Sequence, residues 1–180
     1  MIATAKITGA EFDALPYDEG RKWELLSGDL IEVPSPTPKH QDIVLYMAAS
    51  LSSYVRRNGT GRVYPDVEFG LSANIRLRPD IAVLLQDNWR NLNDQKSPVS
   101  GSPDIAIEVI SPSERTSESV RKVQAYLRHG VQEVWQVFPM HSTALIYTST
   151  SPLVLLSPED SFQSPLLPDW RLPIAEALDS

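Results

Sequence analysis

A chain of 180 residues can bury a substantial core in one domain without staples, and it contains no cysteine, which excludes disulfide frameworks and thiolate zinc sites. Hydrophobic content of 42% and charged content of 22% exclude a disordered or fibrous chain. The net charge of -7 opposes tight non-specific binding to a phosphate backbone, which carries the same sign.

The opening MIATAKITGAEFDALP lacks an uninterrupted apolar core and carries Glu11 and Asp13, so it does not read as a signal peptide. Within it, residues 8–16 predict a short helix. Thr8 caps it, Glu11 completes a capping box, and Pro16 helps to stop it. WELLSGDLIEV, 23–33, predicts a β-hairpin turning at Ser27-Gly28-Asp29. PSPTP, 34–38, is an extended connector. From Lys39 to Arg57, Ile43, Val44, Met47, Ala48, Leu51 and Val55 recur at helical spacing, and Asn58-Gly59 ends the helix.

GRVYPDVEFGL, 61–71, is strand-rich, with Pro65 pointing to an edge or a bulge. Residues 72–77 read as a connector, 79–85 as a strand, and 87–102 as a long polar surface loop. A strand at 104–110 precedes a helix from about Ser117 to His129, whose apolar face is Val120, Val123 and Leu127 and whose C′ residue is Gly130. Strands follow at 133–138, 144–148 and 152–156, the last two as a hairpin, and a short helix near 173–178 closes the chain. No run approaches the roughly 20 apolar residues of a membrane helix. The expectation is one soluble, cytoplasmic domain spanning 1–180.

Charge is unevenly spread. Arg56, Arg57, Arg62, Arg76 and Arg78 face only Asp66 and Glu68 between positions 56 and 78. Many acids sit nearer the ends, among them Glu11, Asp13, Asp18, Glu19, Glu159, Asp160, Asp169, Glu176 and Asp179. A basic central face and a solvated surface with scattered arginines both fit this pattern.

Two apolar runs each hold a carboxylate that a buried strand disfavours, because desolvating a carboxylate costs several kcal/mol or more. In RPDIAVLL it is Asp80, and in PDIAIEVISPS it is Glu108. Strand periodicity puts Asp80, Ala82 and Leu84 on one face, and Asp104, Ala106 and Glu108 on one face of the second run. Antiparallel pairing with Asp80 opposite Glu108 sets Ala82 against Ala106 and Leu84 against Asp104. Directly opposed Cβ atoms lie about 4.5–5.5 Å apart, where two carboxylates repel unless a proton or cation joins them. Mg²⁺, or Mn²⁺, suits such an oxygen pair.

On the helix, Glu118, Lys122 and Tyr126 form one stripe at i, i+4 spacing. Lys122 then either stabilises a phosphate transition state beside the metal or forms a plain surface pair with Glu118. Structural alternatives stand for the acids too: a strand-start aspartate after proline for Asp80, and a solvent-facing edge for Glu108. Asp104 also follows a proline and rivals Asp80. His40, at the start of the long helix, and Glu24, in the hairpin, are further candidates for the same site. No zinc spacing, P-loop, dinucleotide fingerprint or GxSxG elbow is present.

WELLSGDLIEV, the proline-rich link to a histidine, RPDIAVLL, PDIAIEVISPS and the Lys-x-x-x-Tyr helix closing on HGVQEVW together resemble the Uma-type restriction endonuclease family of the PD-(D/E)XK nuclease-like superfamily. The likeness covers nearly the whole chain. It implies a restriction endonuclease-like α/β core, with a mixed sheet flanked by helices, bound Mg²⁺, and DNA as substrate. It also implies that Asp80 and Glu108 are the metal-holding acids and Glu24 a further member of the site. The usual superfamily lysine lies two residues after the glutamate, where this chain has Ile110, and Lys122 takes its place from the following helix. That departure leaves a rival reading, a non-catalytic nuclease-like binding or scaffold module. A homodimer, supported by exposed Trp and Tyr side chains, is the expected assembly.

Overall fold

The computed structural model describes residues 6–16, 18, 20–93 and 95–179. Residues 1–5 of the opening stretch and the acidic position Glu19 lie outside the described residues. Helix α1 (Gly9–Asp13) carries the expected capping box between Thr8 and Glu11. The hairpin is β1 (Lys22–Leu26) and β2 (Asp29–Val33), turning through Ser27 and Gly28, both at positive φ.

Helix α2 (Pro38–Asn58) starts on Thr37, whose hydroxyl accepts from the His40 N–H, with Pro38 in the first turn where no donor is missed. It ends on Gly59, at φ 63°, which a side chain would strain. Strands β3 (Gly61–Pro65), β4 (Phe69–Ser72), β5 (Ile75–Leu77) and β6 (Ile81–Leu85) follow. Then come α3 (Gln86–Arg90), β7 (Val99–Ser100), β8 (Ile105–Val109), α4 (Thr116–Arg128), β9 (Glu133–Phe138), β10 (Thr143–Thr148) and β11 (Val154–Leu156). The chain closes with β12 (Ser161–Ser164), β13 (Leu167–Pro173) and α5 (Ile174–Asp179).

The central sheet is six-stranded and mixed, in the order β11-β10-β9-β8-β6-β3. Its one parallel joint, β8 to β9, is bridged by α4, as a parallel connection requires. Edge strand β3 ends on Pro65, where a missing donor costs least. A second sheet, β2-β1-β5-β4-β7, and the β12–β13 hairpin complete the architecture.

Both faces of the central sheet are covered. On one, Ile81, Val83, Ile105 and Ile107 pack with Ile43, Met47 and Leu51 of α2 and with Phe162, Trp170 and Ile174 of the C-terminal hairpin and helix. On the other, Ala106 and Val134 meet Val123 and Tyr126 of α4 and Leu26, Ile75 and Leu77 of the second sheet. Hence β6 and β8 are buried along their whole length, which their nearly unbroken apolar runs reflect. At about 1.5–3 kcal/mol per fully buried aliphatic side chain, this two-sided packing holds the site strands rigid.

Several sequence expectations are corrected. Residues 72–77 are not a plain connector, because Ile75–Leu77 pairs with both β1 and β4. The loop 87–102 contains α3 and β7. On α4, Val120 is 46% exposed, and the helix buries Ser119, Lys122, Val123, Ala125 and Tyr126 instead. The tail forms a strand pair that its prolines disguised. No described Trp or Tyr is fully exposed; the exposed large apolar residues are non-aromatic and include Leu45, Met140, Leu153 and Leu155. Among the described residues, no helix is long and apolar enough to cross a membrane.

Candidate active site

Strands β6 and β8 pair antiparallel with Ile81 opposite Ile107, Ala82 opposite Ala106 and Val83 opposite Ile105. Continuing that register sets Asp80 opposite Glu108. The Asp80 charge acts on the Glu108 carboxyl and helps to raise it. Asp80 Oδ2 accepts the Val109 N–H at 2.7 Å and lies 3.2 Å from His40 Nε2. The capped start of α2 delivers that imidazole to the strand end.

Glu108 is buried. Its Oε1 accepts the Tyr126 hydroxyl at 2.8 Å, and its Oε2 lies 3.8 Å from Lys122 Nζ. Lys122 is closer to Glu24, at 2.7 Å from Oε2, while Glu24 Oε1 accepts the Arg78 N–H at 2.7 Å. Lys122 is thus not a surface partner of Glu118, which pairs with Arg115 at 3.1 Å. Four elements, β1, β6, β8 and α4, converge here, and α2 adds His40.

Burial, with Asp80, Glu24 and Glu114 nearby, pushes Glu108 well above the usual carboxylate range, and Lys122 only partly offsets this. Burial alone would lower the Lys122 ammonium, but Glu108 and Glu24 outweigh it and hold the group cationic. The Asp80 hydrogen bond raises His40, against its own burial. Burial raises Glu114 as well, and Tyr126 rises well above its ordinary value through burial and Glu108.

Glu24, His40, Asp80, Glu108, Glu114 and Lys122 line a cleft of about 840 Å³ between the β1–β2 hairpin, the 34–37 link and the 110–115 loop, with Tyr126 buried behind it. Asp80 and Glu108 supply hard oxygen donors of the kind Mg²⁺ or Mn²⁺ takes. Among the described residues no group of three or more His, Asp or Glu is placed to hold a metal. A two-carboxylate site still fits Mg²⁺, which keeps several waters and commonly takes one or two carboxylates plus substrate phosphate.

Asp104 does not belong to this site. It sits at the far end of β8, where Leu85 N–H, Asn88 and Gln132 donate to its carboxylate at 2.6, 2.9 and 2.7 Å. Three donors make it a satisfied structural acid. Sequence reading missed the roles of Tyr126 and Glu114. Tyr126 was in the Lys122 stripe, so the i, i+4 spacing held the signal; Glu114 follows the strand in a polar loop and had none.

The architecture is an α/β fold with a mixed sheet flanked by helices. A "putative nuclease belonging to DUF820" from Anabaena variabilis shares it, with a TM-score of 0.82 at 23% identity, over 96% of this chain and 98% of that chain. The family model Uma2, described as "Putative restriction endonuclease", matches residues 10–175, and the chain belongs to this family. No curated protein matches the chain.

Proposed function

We propose that this protein is a divalent-metal-dependent endonuclease that hydrolyses DNA phosphodiester bonds at the Asp80–Glu108 cleft. The observation that carries the reading is that Asp80, just before β6, and buried Glu108 of β8 line one cleft, with a buried lysine beside Glu108. Membership of a family described as restriction endonucleases supports the same class.

In this reading Asp80 and Glu108 hold Mg²⁺ or Mn²⁺. When bound, the ion supplies Lewis-acid polarisation of the scissile phosphate and a more acidic water. Tyr126 fixes one Glu108 oxygen and leaves the other facing Lys122. Lys122, kept cationic by Glu108 and Glu24, stabilises charge developing on the phosphate. Glu24 is a positioning residue, because both of its oxygens are already engaged, by Lys122 and by the Arg78 N–H. His40 holds Asp80 in place and donates to it when protonated. A homodimer, which lets a nuclease address both strands, belongs to this reading, and sedimentation velocity checks it.

The rival, a non-catalytic nuclease-like module, draws support from Ile110 at the usual lysine position and from the shorter Lys122–Glu24 contact. Incubating DNA with Mg²⁺ or Mn²⁺ separates the two. Cleavage by the wild type and its loss in Glu108→Gln is the expected result. Equal products from both proteins would sink the nuclease reading.

A further inference from the structure

Beside the cleft lies a second cavity of about 450 Å³, and Asp66 and Arg78 line both. One wall is Tyr64, on edge strand β3. Tyr64 stands directly opposite Ala82 in the β3–β6 register. Opposed residues share a sheet face, so Tyr64 is on the same face as Asp80, Ala82, Ala106 and Glu108. Asp80 is its diagonal neighbour, and such neighbours lie about 7–8 Å apart. Between them the cross-strand partner of Tyr64 is only a methyl group.

The ring is half-buried against the small cluster of Phe69, Ala82, Leu84 and Val99, which fixes its plane. Its hydroxyl has no hydrogen-bond partner among the described residues. Val67 and Leu92 add apolar wall, whereas Arg78, Lys96 and Ser97 place polar groups at the rim. Arg78 is paired with Glu68 at 3.0 Å, and Lys96 forms no ion pair with a described residue. Asp66 and Glu68 also line the cavity, but Lys22 pairs with Asp66 and Arg78 with Glu68, so an aromatic wall with apolar sides and the one lysine Lys96 match a flat heteroaromatic ring attached to an anion.

We infer that this cavity is a nucleobase subsite, in which Tyr64 stacks on an unstacked base beside the scissile phosphate and Lys96 meets the neighbouring phosphate. The inference rests on the nuclease reading of the adjacent cleft. It makes single-stranded or locally opened DNA the preferred substrate, because a base paired and stacked in a duplex cannot enter a concave cavity. It also accounts for nucleic-acid binding by a chain of net charge -7: stacking supplies affinity that overall charge does not.

The test uses the full chain carrying Glu108→Gln, to prevent cleavage, and a single-stranded oligonucleotide containing 5-iodouracil. Photo-cross-linking followed by peptide mapping is expected to label the peptide that contains Tyr64. Tyr64→Ala should weaken oligonucleotide binding roughly 5- to 150-fold, the range to which base–aromatic stacking corresponds, while Tyr64→Phe binds like the parent. Cross-links confined to residues outside the cavity, unchanged affinity in Tyr64→Ala, or no binding by the parent would each overturn the inference. Should Tyr64→Ala not fold, the cross-linked peptide decides alone. A wild type that cleaves with no part played by Tyr64 removes this subsite and leaves the nuclease reading. Binding through Tyr64 without cleavage does the reverse.

Discussion

Lys122 Nζ lies 2.7 Å from Glu24 Oε2 and 3.8 Å from Glu108 Oε2, so one buried cation joins the β1 hairpin to the strand that carries the candidate metal ligand. Removing one partner from a buried pair leaves an uncompensated charge, which is more costly than losing the pair altogether. Glu24→Gln should therefore destabilise the fold by about 3 kcal/mol, and the double variant Glu24→Gln/Lys122→Met by less than the sum of the single changes. Urea unfolding of the four proteins measures this coupling; strict additivity would show that the contact is energetically idle.

Tyr126 orients Glu108 through a buried hydrogen bond of 2.8 Å. Tyr126→Phe keeps the ring's packing and leaves Glu108 Oε1 without that donor. Mn²⁺ affinity should fall by roughly 10-fold, as for other groups that orient metal ligands, with about 1 kcal/mol lost in stability. Titration calorimetry with Mn²⁺ checks the first number and chemical denaturation the second.

His40 gives a pH signature in the metal-free protein. Its hydrogen bond to Asp80 raises its pKa above the ordinary 6.5. Stability from this contact is thus fully present below the unfolded-state value and is lost as pH rises through the folded-state value. Imidazole NMR signals recorded in chelator should titrate above the ordinary value in the wild type. They should return toward it in Asp80→Asn.

Glu108 carries the opposite consequence for metal binding. Burial, with Asp80, Glu24 and Glu114, favours its protonated form, so a divalent ion must displace a proton to bind there. Mn²⁺ affinity should weaken as pH falls through the raised Glu108 pKa, with proton uptake by buffer accompanying binding. Calorimetry in two buffers of different ionisation enthalpy reads this directly, and a buffer-independent heat would contradict it.

The C-terminal hairpin is a stability element remote from the cleft. Trp135 stacks between Phe162 and Trp170, with ring centroids 5.5 and 5.8 Å away. Phe162→Ala opens a cavity under a fully buried ring and should cost about 3–5 kcal/mol. Its melting temperature should drop, while Mn²⁺ binding to the folded variant stays unchanged.

Local signals determined much of this protein in advance. The capping box at Thr8, the turn at Gly28, the period of α2 and its stop at Gly59 depend on neighbours a few residues apart, and each stands where the sequence puts it. The alternation in β6 and β8 even set their register, because a one-residue slip would bury both carboxylates among the isoleucines. Only the tertiary structure decided which helix face is buried. α4 turns Lys122 and Tyr126 inward and exposes Val120, because a buried carboxylate pair on two other strands compensates the ammonium better than water-facing Glu118 does. The tail strands and the cavity under Tyr64 likewise arise from contacts between segments distant in the chain. No local period encodes such contacts, since their energy exists only once the sheets have packed.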